Sequence, residues 1–394
     1  MPLTHMWRVT KCLRMQPVAL QGVNQNRVLI LATLCASLWL GATPVNAVLV
    51  YSTGDPNHNT TAPTGNLANS GWQFEGIWGS FLGTPIAPKY FLTAEHIGGS
   101  VGDIFTFNGV QYTTTAVYDD PSSDLRIWRV CGTFPTFAQI YTNSDEQGRG
   151  LVVIGRGTQR GGEVTTSTTN IFGQVTTKTN GWFWGPSDGV ERWGTNVVAA
   201  TVNGDGVLGG GSIGEVLQAA FDETGGPDEC HLSVGDSAGG VFIKDGAVWK
   251  LAGINYAVDG PYNTSTNGPG FNAAVFDEGG LYKMDATGWM LQTDLPPNQP
   301  TPGSFYSTRV SAHVPWINSI LDGAAPSDTA PTLQSASTVN GTYGDEAAAT
   351  VDDTAKTITV SLPAGSRFYR LRACGPLTIN SIEVQGGNLV LSYQ

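Results

Sequence analysis

From residue 71 onward the apolar and polar positions alternate over short distances. β-prone runs at 77–82, 89–93, 104–107, 125–130 and 151–154 are broken by turn residues, and Thr- and Trp-rich hairpin-like segments follow as far as Trp193. Long amphipathic helical periods are absent, so the pattern predicts an all-β domain. Two stretches read as helix instead, 213–222 and 312–321; the second carries Val314, Ile317, Ile320 and Leu321 on one face.

After Gly323 the pattern lapses into Ala-Ala-Pro-Ser-Asp-Thr-Ala-Pro, a stretch unable to build a core, which predicts a linker over 324–332. A small β module is expected at 333–394. Its alternating positions are Ile358, Val360 and Leu362, then Phe368 and Leu371, Leu377 and Ile379, and finally Leu389 and Leu391.

The first 47 residues read differently. They hold no acid, and Arg8, Lys11, Arg14 and Arg27 precede a 13-residue, largely apolar run at 28–40. Val45 and Ala47 then stand as the small residues a signal peptidase requires. The run is short of the ~20 residues of a membrane helix, and Pro44 and Asn46 block its extension. A cleaved export signal over 1–47 is therefore expected, with a secreted or periplasmic product and no membrane span.

Composition narrows the function. Of 20 Lys+Arg and 32 Asp+Glu, the leader takes four cations, which leaves 16 against 32 and a mature charge of about −16. With no basic cluster, nucleic acid is excluded as a partner. Glycine, 51 of 394 residues, is close to twice the ~7% average and suits many turns between short strands. Cys12 and Cys35 leave with the signal. Cys131, Cys230 and Cys374 remain, without metal-site spacing, and both a Cys131–Cys230 bridge and buried thiols stay open.

The mature chain has four histidines, His58, His96, His231 and His313. His96 ends Tyr90-Phe-Leu-Thr-Ala-Glu-His96, a β run entering a turn. Asp124 follows 28 residues later at the head of another β run, and Val234-Gly-Asp-Ser237-Ala-Gly-Gly240 lies 113 residues beyond that. A serine hydroxyl is a weak nucleophile, so it needs a neutral imidazole to take its proton, and the imidazole needs an acceptor to fix its tautomer. Gly235 lets the backbone turn so that its own N–H and that of Ser237 converge where an oxyanion would form. The glycines after Ser237 are expected to keep side chains away from a substrate.

These residues resemble the chymotrypsin/trypsin-like serine peptidase superfamily, in which Thr-Ala-x-His, Asp-Leu and Gly-Asp-Ser-x-Gly occur in that order. The segment Trp249-Lys-Leu-Ala-Gly-Ile254 is similar to its strand beside the substrate cleft, and 310–321, with Val314-Pro-Trp-Ile317, to its C-terminal helix. The resemblance covers about residues 70–323 and implies a peptidase domain over 48–323, a double β-barrel with a C-terminal helix. It further implies catalytic His96, Asp124 and Ser237, and an oxyanion hole at Gly235 and Ser237. The short His-to-Asp spacing suggests a compact first barrel of the secreted bacterial type. Signal cleavage exposes Val48-Leu-Val-Tyr and not the superfamily's Ile-Val-Gly-Gly, so Asp236 is expected to find a partner other than an inserted amino terminus.

His231, Tyr256, Ala257 and Val258 fall where the superfamily forms its substrate pocket, which implies small or apolar side chains at the cleaved bond of a protein or peptide substrate. No cofactor and no metal is implied; Asn203-Gly-Asp-Gly206 reads as a plain turn, since a calcium loop would need an acid at its first position. Trp182, Trp184 and Trp193 are expected in barrel packing. The C-terminal module is expected to contact a surface or the substrate. Two other readings share the serine string: an α/β-hydrolase-type esterase with a Gly-x-Ser-x-Gly elbow and His313 as its only downstream histidine, and a non-catalytic exported binding protein on a peptidase fold.

Overall fold

The computed structural model describes residues 48–394 apart from 209–210, 286, 295–298, 324–329 and 375–376. The expected leader lies outside the described residues, as does most of the expected linker. After a short strand β1 (Leu49–Val50), six strands close a first barrel. They are β2 (Gly76–Trp78), β3 (Phe81–Ala87), β4 (Tyr90–Ala94), β5 (Ile104–Phe107), β6 (Val110–Asp119) and β7 (Leu125–Val130), in the order β2-β3-β4-β7-β6-β5. The run expected at 77–82 is two strands, because Gly79, at φ 59°, turns the chain so that Trp78 pairs with Phe81.

The chain continues through β8 (Gly150–Gly155), β9 (Thr158–Thr169), β10 (Val175–Ser187), β11 (Arg192–Asn203), β12 (Glu215–Ala220), β13 (Cys230–His231), β14 (Gly240–Asp245) and β15 (Val248–Val258). Then come β16 (Tyr262–Asn263), β17 (Ala273–Val275), β18 (Tyr282–Asp285), β19 (Gly288–Leu291) and β20 (Ser304–Arg309). Six of these close a second barrel in the order β11-β12-β20-β15-β14-β8. A 3-10 turn at Val310–His313 leads into helix α1 (Val314–Leu321), with Pro315 in its first turn, where a missing N–H costs nothing. Two closed six-stranded barrels and a short C-terminal helix make this a chymotrypsin-like double β-barrel.

The helix expected at 213–222 is corrected by β12. Leu217 and Ala219 point into the second barrel, while Val216 joins Ile213 and Tyr306 on the other side. Ladders to β11 and β20 satisfy the backbone on both edges. Tertiary pairing outweighs a local pattern that a helix could also satisfy.

Period-two alternation explains how each strand serves two cores. Tyr90, Leu92 and Ala94 of β4 and Leu125 and Ile127 of β7 meet Val152 and Ile154 of β8 in one cluster shared by the barrels. Their neighbours Phe91, Trp128 and Val130 fill the first barrel with Phe105, Phe107 and Phe134, while Leu151 and Val153 fill the second. The rings of Phe91 and Phe105 stack at 3.9 Å. His96 and Asp124 follow and precede strands β4 and β7, whose Ala94 and Leu125 belong to this shared cluster.

Outside the barrels, β10 pairs with both β9 and β17 in a three-stranded sheet. Gly181 pairs with Val275, and a Cβ at Gly181 would collide with the Ala274 carbonyl, so this close approach requires glycine. The C-terminal residues build two small sheets from β21 (Thr332–Ala336), β22 (Gly344–Asp345), β23 (Thr350–Asp352), β24 (Thr357–Ser361), β25 (Phe368–Arg372), β26 (Ile379–Gln385) and β27 (Asn388–Tyr393). Leu333, Ile358, Val360, Leu391 and Tyr393 are their buried core, whereas Leu362, Phe368 and Ile379 from the alternating sets are exposed.

Candidate active site

His96 stands in the turn after β4, Asp124 just before β7, and Ser237 in the turn before β14. Neighbouring strands β4 and β7 pair Ala94 with Leu125, which sets the first two side by side. His96 Nδ1 lies 2.6 Å from Asp124 Oδ2, and the backbone N–H of His96 donates to Asp124 Oδ1 at 2.9 Å. A carboxylate can only accept, so the Nδ1 proton belongs to the imidazole and Nε2 keeps its lone pair. That nitrogen lies 2.9 Å from Ser237 Oγ. Asp124 is nearly buried, while the His96 side chain is 37% exposed, open on the side a substrate would approach.

Around Ser237 the turn is held from below. Gly235 adopts φ 95°, and a Cβ there would stand 2.9 Å from the Gly157 Cα. Among the described residues the amides of Gly235 and Ser237 donate to no internal acceptor, whereas those of Asp236, Ala238 and Gly239 all do. The two amides left over are the pair an oxyanion would need. Gly239 and Gly240 do not face a substrate as expected. A Cβ on Gly239 would strike the Ile154 carbonyl, and one on Gly240 would stand 2.5 Å from Glu75 Oε1, so both glycines serve packing beneath the turn. Ala238 is buried and itself takes a left-handed φ of 66°.

Asp236 is buried and accepts from the Gly157 N–H (2.7 Å), the Ser233 N–H (2.7 Å) and the Ser233 hydroxyl (2.8 Å). The Val48 backbone hydrogen-bonds to it as well. Asp236 is thus held by Gly157, Ser233 and the Val48 backbone. Burial pushes the Asp236 carboxyl up to about 6, against the pull of these bonds. Behind Gly240, Glu75 holds Thr84 Oγ1 at 2.9 Å, and burial raises its carboxyl well above the usual range, with the charge of Glu191 adding to the effect. No motif in the sequence singled out Glu75.

A cavity of about 190 Å³ opens beside Ser237, lined by Trp184, Leu232, Val234, Tyr256, Ala257 and Val258 with Ser233 and Asn255. None of these side chains is charged. Tyr256, Ala257 and Val258 stand where expected, and the Tyr256 ring also meets the His96 imidazole edge-on at 5.5 Å. His231 does not line the cavity. It is buried on β13, outside the second barrel's strands, with its ring between those of Phe221 and Phe305; its Nδ1–H donates to the Leu232 carbonyl at 2.7 Å, and burial lowers its basicity. Trp184, expected in barrel packing, packs part of its ring against the cluster of Leu49, Trp182 and Phe221 outside the barrels and also stands in the cavity wall, where its pairing with Arg160 of β9 places it. Trp182 and Trp193 are buried in packing.

No family model and no curated protein matches this sequence. Among solved structures the chain is similar to kallikrein-related peptidase 10, at 13% identity and a TM-score of 0.37, over 65% of this chain and 98% of that one.

The geometry of the site separates the earlier alternatives. The turn at Ser237 leads into the β14–β15 hairpin and not into a helix, within barrels that contain no βαβ unit among the described residues, so the α/β-hydrolase elbow is ruled out. His313 is paired to Asp120 at 2.6 Å and not to Ser237. Cys230 is a buried thiol without a bridge, so the Cys131–Cys230 disulfide is not formed. At Asn203 the side chain caps the turn at Gly204–Val207 by accepting from the Asp205 N–H at 2.9 Å.

Proposed function

We propose that the protein is an exported serine endopeptidase that hydrolyses peptide bonds through an acyl-enzyme. One observation carries the reading: His96 lies within hydrogen-bond reach of Ser237 on one side and of a nearly buried Asp124 on the other. In this scheme Ser237 Oγ attacks the scissile carbonyl while His96 Nε2 takes its proton. The carbonyl oxygen, now anionic, is met by the Gly235 and Ser237 amides. His96 passes the proton to the departing amine, leaving the acyl group on Ser237. Water then attacks, giving its proton to His96, and the serine is released with its proton restored.

The uncharged cavity favours small or apolar side chains at the cleaved bond, and offers no carboxylate to Lys or Arg. The leader-like 1–47 supports export of the secreted bacterial type, and the residues after the linker support a separate module that contacts a surface or the substrate. The test is labelling by a fluorophosphonate probe beside Ser237→Ala and His96→Ala, followed by cleavage-site profiling on a peptide library. Labelling and peptide hydrolysis lost in both variants is the expected result. A folded wild-type protein that takes up no label would return the non-catalytic binding protein as the better reading.

A further inference from the structure

A second imidazole–carboxylate pair lies in the loop that delivers Asp124. His313 Nδ1 stands 2.6 Å from Asp120 Oδ2, and the two side chains are only 8% and 1% exposed. The Nδ1–Oδ2 separation equals that between His96 and Asp124, but no hydroxyl completes a triad. Among the described residues the other ring nitrogen, Nε2, has no partner. Gly214 seals that side: it adopts φ +72°, and a Cβ there would stand 3.4 Å from Nε2 and 2.6 Å from the Ser122 carbonyl. Burying an imidazole with one nitrogen unsatisfied costs stability that an apolar side chain would not. The explanation lies in what the satisfied nitrogen holds.

It holds Asp120, which organises the loop. Asp120 Oδ2 also accepts the Ser123 hydroxyl at 2.8 Å, and Ser123 Oγ in turn accepts the Leu125 N–H at 3.2 Å. Its Oδ1 accepts the N–H and the hydroxyl of Ser122 at 3.0 and 2.8 Å, and its own N–H donates to the Leu125 carbonyl at 2.9 Å. Residues 123 and 125 flank Asp124, so the backbone on both sides of the triad carboxylate is tied to Asp120. His313 belongs to the chain leaving the second barrel, the one that carries Ser237, and stands at the N-cap of α1. The relay therefore joins the barrel of the nucleophile to the loop of the aspartate.

We propose that His313 is a positioning residue: through Asp120 and Ser123 it fixes the backbone of Asp124 and with it the aim of His96 at Ser237. The inference rests on the peptidase reading above. It makes no use of His313 as a base, since Ser237 is served by His96.

The experiment compares the full-length secreted protein with His313→Leu, His313→Asn and Ser123→Ala, reading kcat and KM on a peptide substrate and the labelling rate of Ser237. His313→Leu keeps bulk but removes the donor, and is expected to lower kcat about 10–100-fold, the scale of a misplaced catalytic group, with KM within about twofold. His313→Asn is expected to recover most of that loss, because its amide N–H can reach Asp120 and Asn is a good N-cap. Ser123→Ala is expected to lower kcat in the same sense, and the double variant with His313→Leu to lose less than the product of the separate losses. Wild-type kcat in His313→Leu, or a loss that Asn does not recover, overturns the proposal. Should His313→Leu fail to fold, Ser123→Ala decides: unchanged kcat overturns it. A wild-type protein that Ser237-directed probes do not label sinks the peptidase reading itself, a different result from a labelled wild type with indifferent variants.

Discussion

The backbone of Val48 hydrogen-bonds to the buried carboxylate of Asp236, the residue before Ser237. Val48 is itself buried, and β1, which follows it, pairs with β13. Were the chain cut after Ala47, as the sequence leads one to expect, the Val48 nitrogen would become an ammonium beside a carboxylate that has no other charged partner among its bonded neighbours, an amino-terminal partner that the Val48-Leu-Val-Tyr start had argued against. A chain beginning at Val48 is expected to melt higher at neutral pH and to label at Ser237 about tenfold or more faster than one with acetylated Val48, since losing one partner of a buried pair costs about 3–5 kcal/mol. Equal labelling of the two chains would dismiss the link.

Desolvation raises the carboxyls of Glu75, Glu278, Glu191, Glu229 and Asp236 and sets an unusual pH dependence of stability. Burial pushes Glu229 up to about 8, Glu191 up to about 7 and Asp236 up to about 6; Arg156 moderates Glu191, and bonds from the backbone moderate the other two. A carboxyl raised on folding contributes stability that is complete below its unfolded value and is lost as pH rises through its folded value. Glu146 acts in the opposite sense, because hydrogen bonds from Arg309 and Ser311 outweigh its burial, but its change lies below pH 4.5. The melting temperature is therefore expected to fall steadily from about pH 5 to pH 8.5. Glu229→Gln, which keeps an acceptor for the Asn196 amide, should flatten the part of the curve above pH 7. Thermal melts across that range read both effects.

Specificity follows from the cavity beside Ser237. Trp184 and Val258 narrow it, and no carboxylate lines it. Small aliphatic side chains should be preferred at the cleaved bond, with Lys and Arg rejected. Val258→Gly and Trp184→Ala are each expected to shift the preference toward larger apolar side chains by roughly 10–200-fold in kcat/KM per methylene-scale step accommodated. Cleavage-site profiling of the two variants beside the parent measures the shift, and unchanged profiles would place the pocket elsewhere.

Much of this site is legible in the sequence. The alternation in β4, β7 and β8 marks strands that serve two cores, and His96, Asp124 and Ser237 each sit at a strand end the pattern locates. What stayed hidden depends on pairings distant in sequence. Trp184 stands in the cavity wall on a strand paired with β9 on one edge and, at Gly181, with Val275 94 residues away on the other, and β12 is a strand because β11 and β20 flank it. His231 illustrates the reverse limit. Its place in the resembled pattern suggests the pocket, but alternation along the two-residue strand β13 sends Cys230 into the second barrel's core and turns the His231 ring to the other face, against Phe221, and no local signal distinguishes the two faces of so short a strand.

The proposed role of the Gly235 amide as an oxyanion donor offers the sharpest test of the turn geometry. Gly235 has a positive φ of 95°, a region that L side chains rarely adopt, and a Cβ would stand 2.9 Å from the Gly157 Cα. Gly235→Ala must therefore move the turn away from Gly157, and with it the amide that meets the developing negative charge. Asp124, His96 and Ser237 keep their own supports, respectively β7, the turn after β4, and the neighbouring Ala238 N–H bonded to the Asn255 carbonyl at 3.0 Å. Loss of one donor that acts only in the transition state is expected to lower kcat about 10²–10³-fold while KM stays nearly constant. Steady-state kinetics on a peptide substrate measure the split. A Gly235→Ala enzyme with a raised KM and an unchanged kcat would show that this amide binds the ground state, and the oxyanion would then have to be met by other donors.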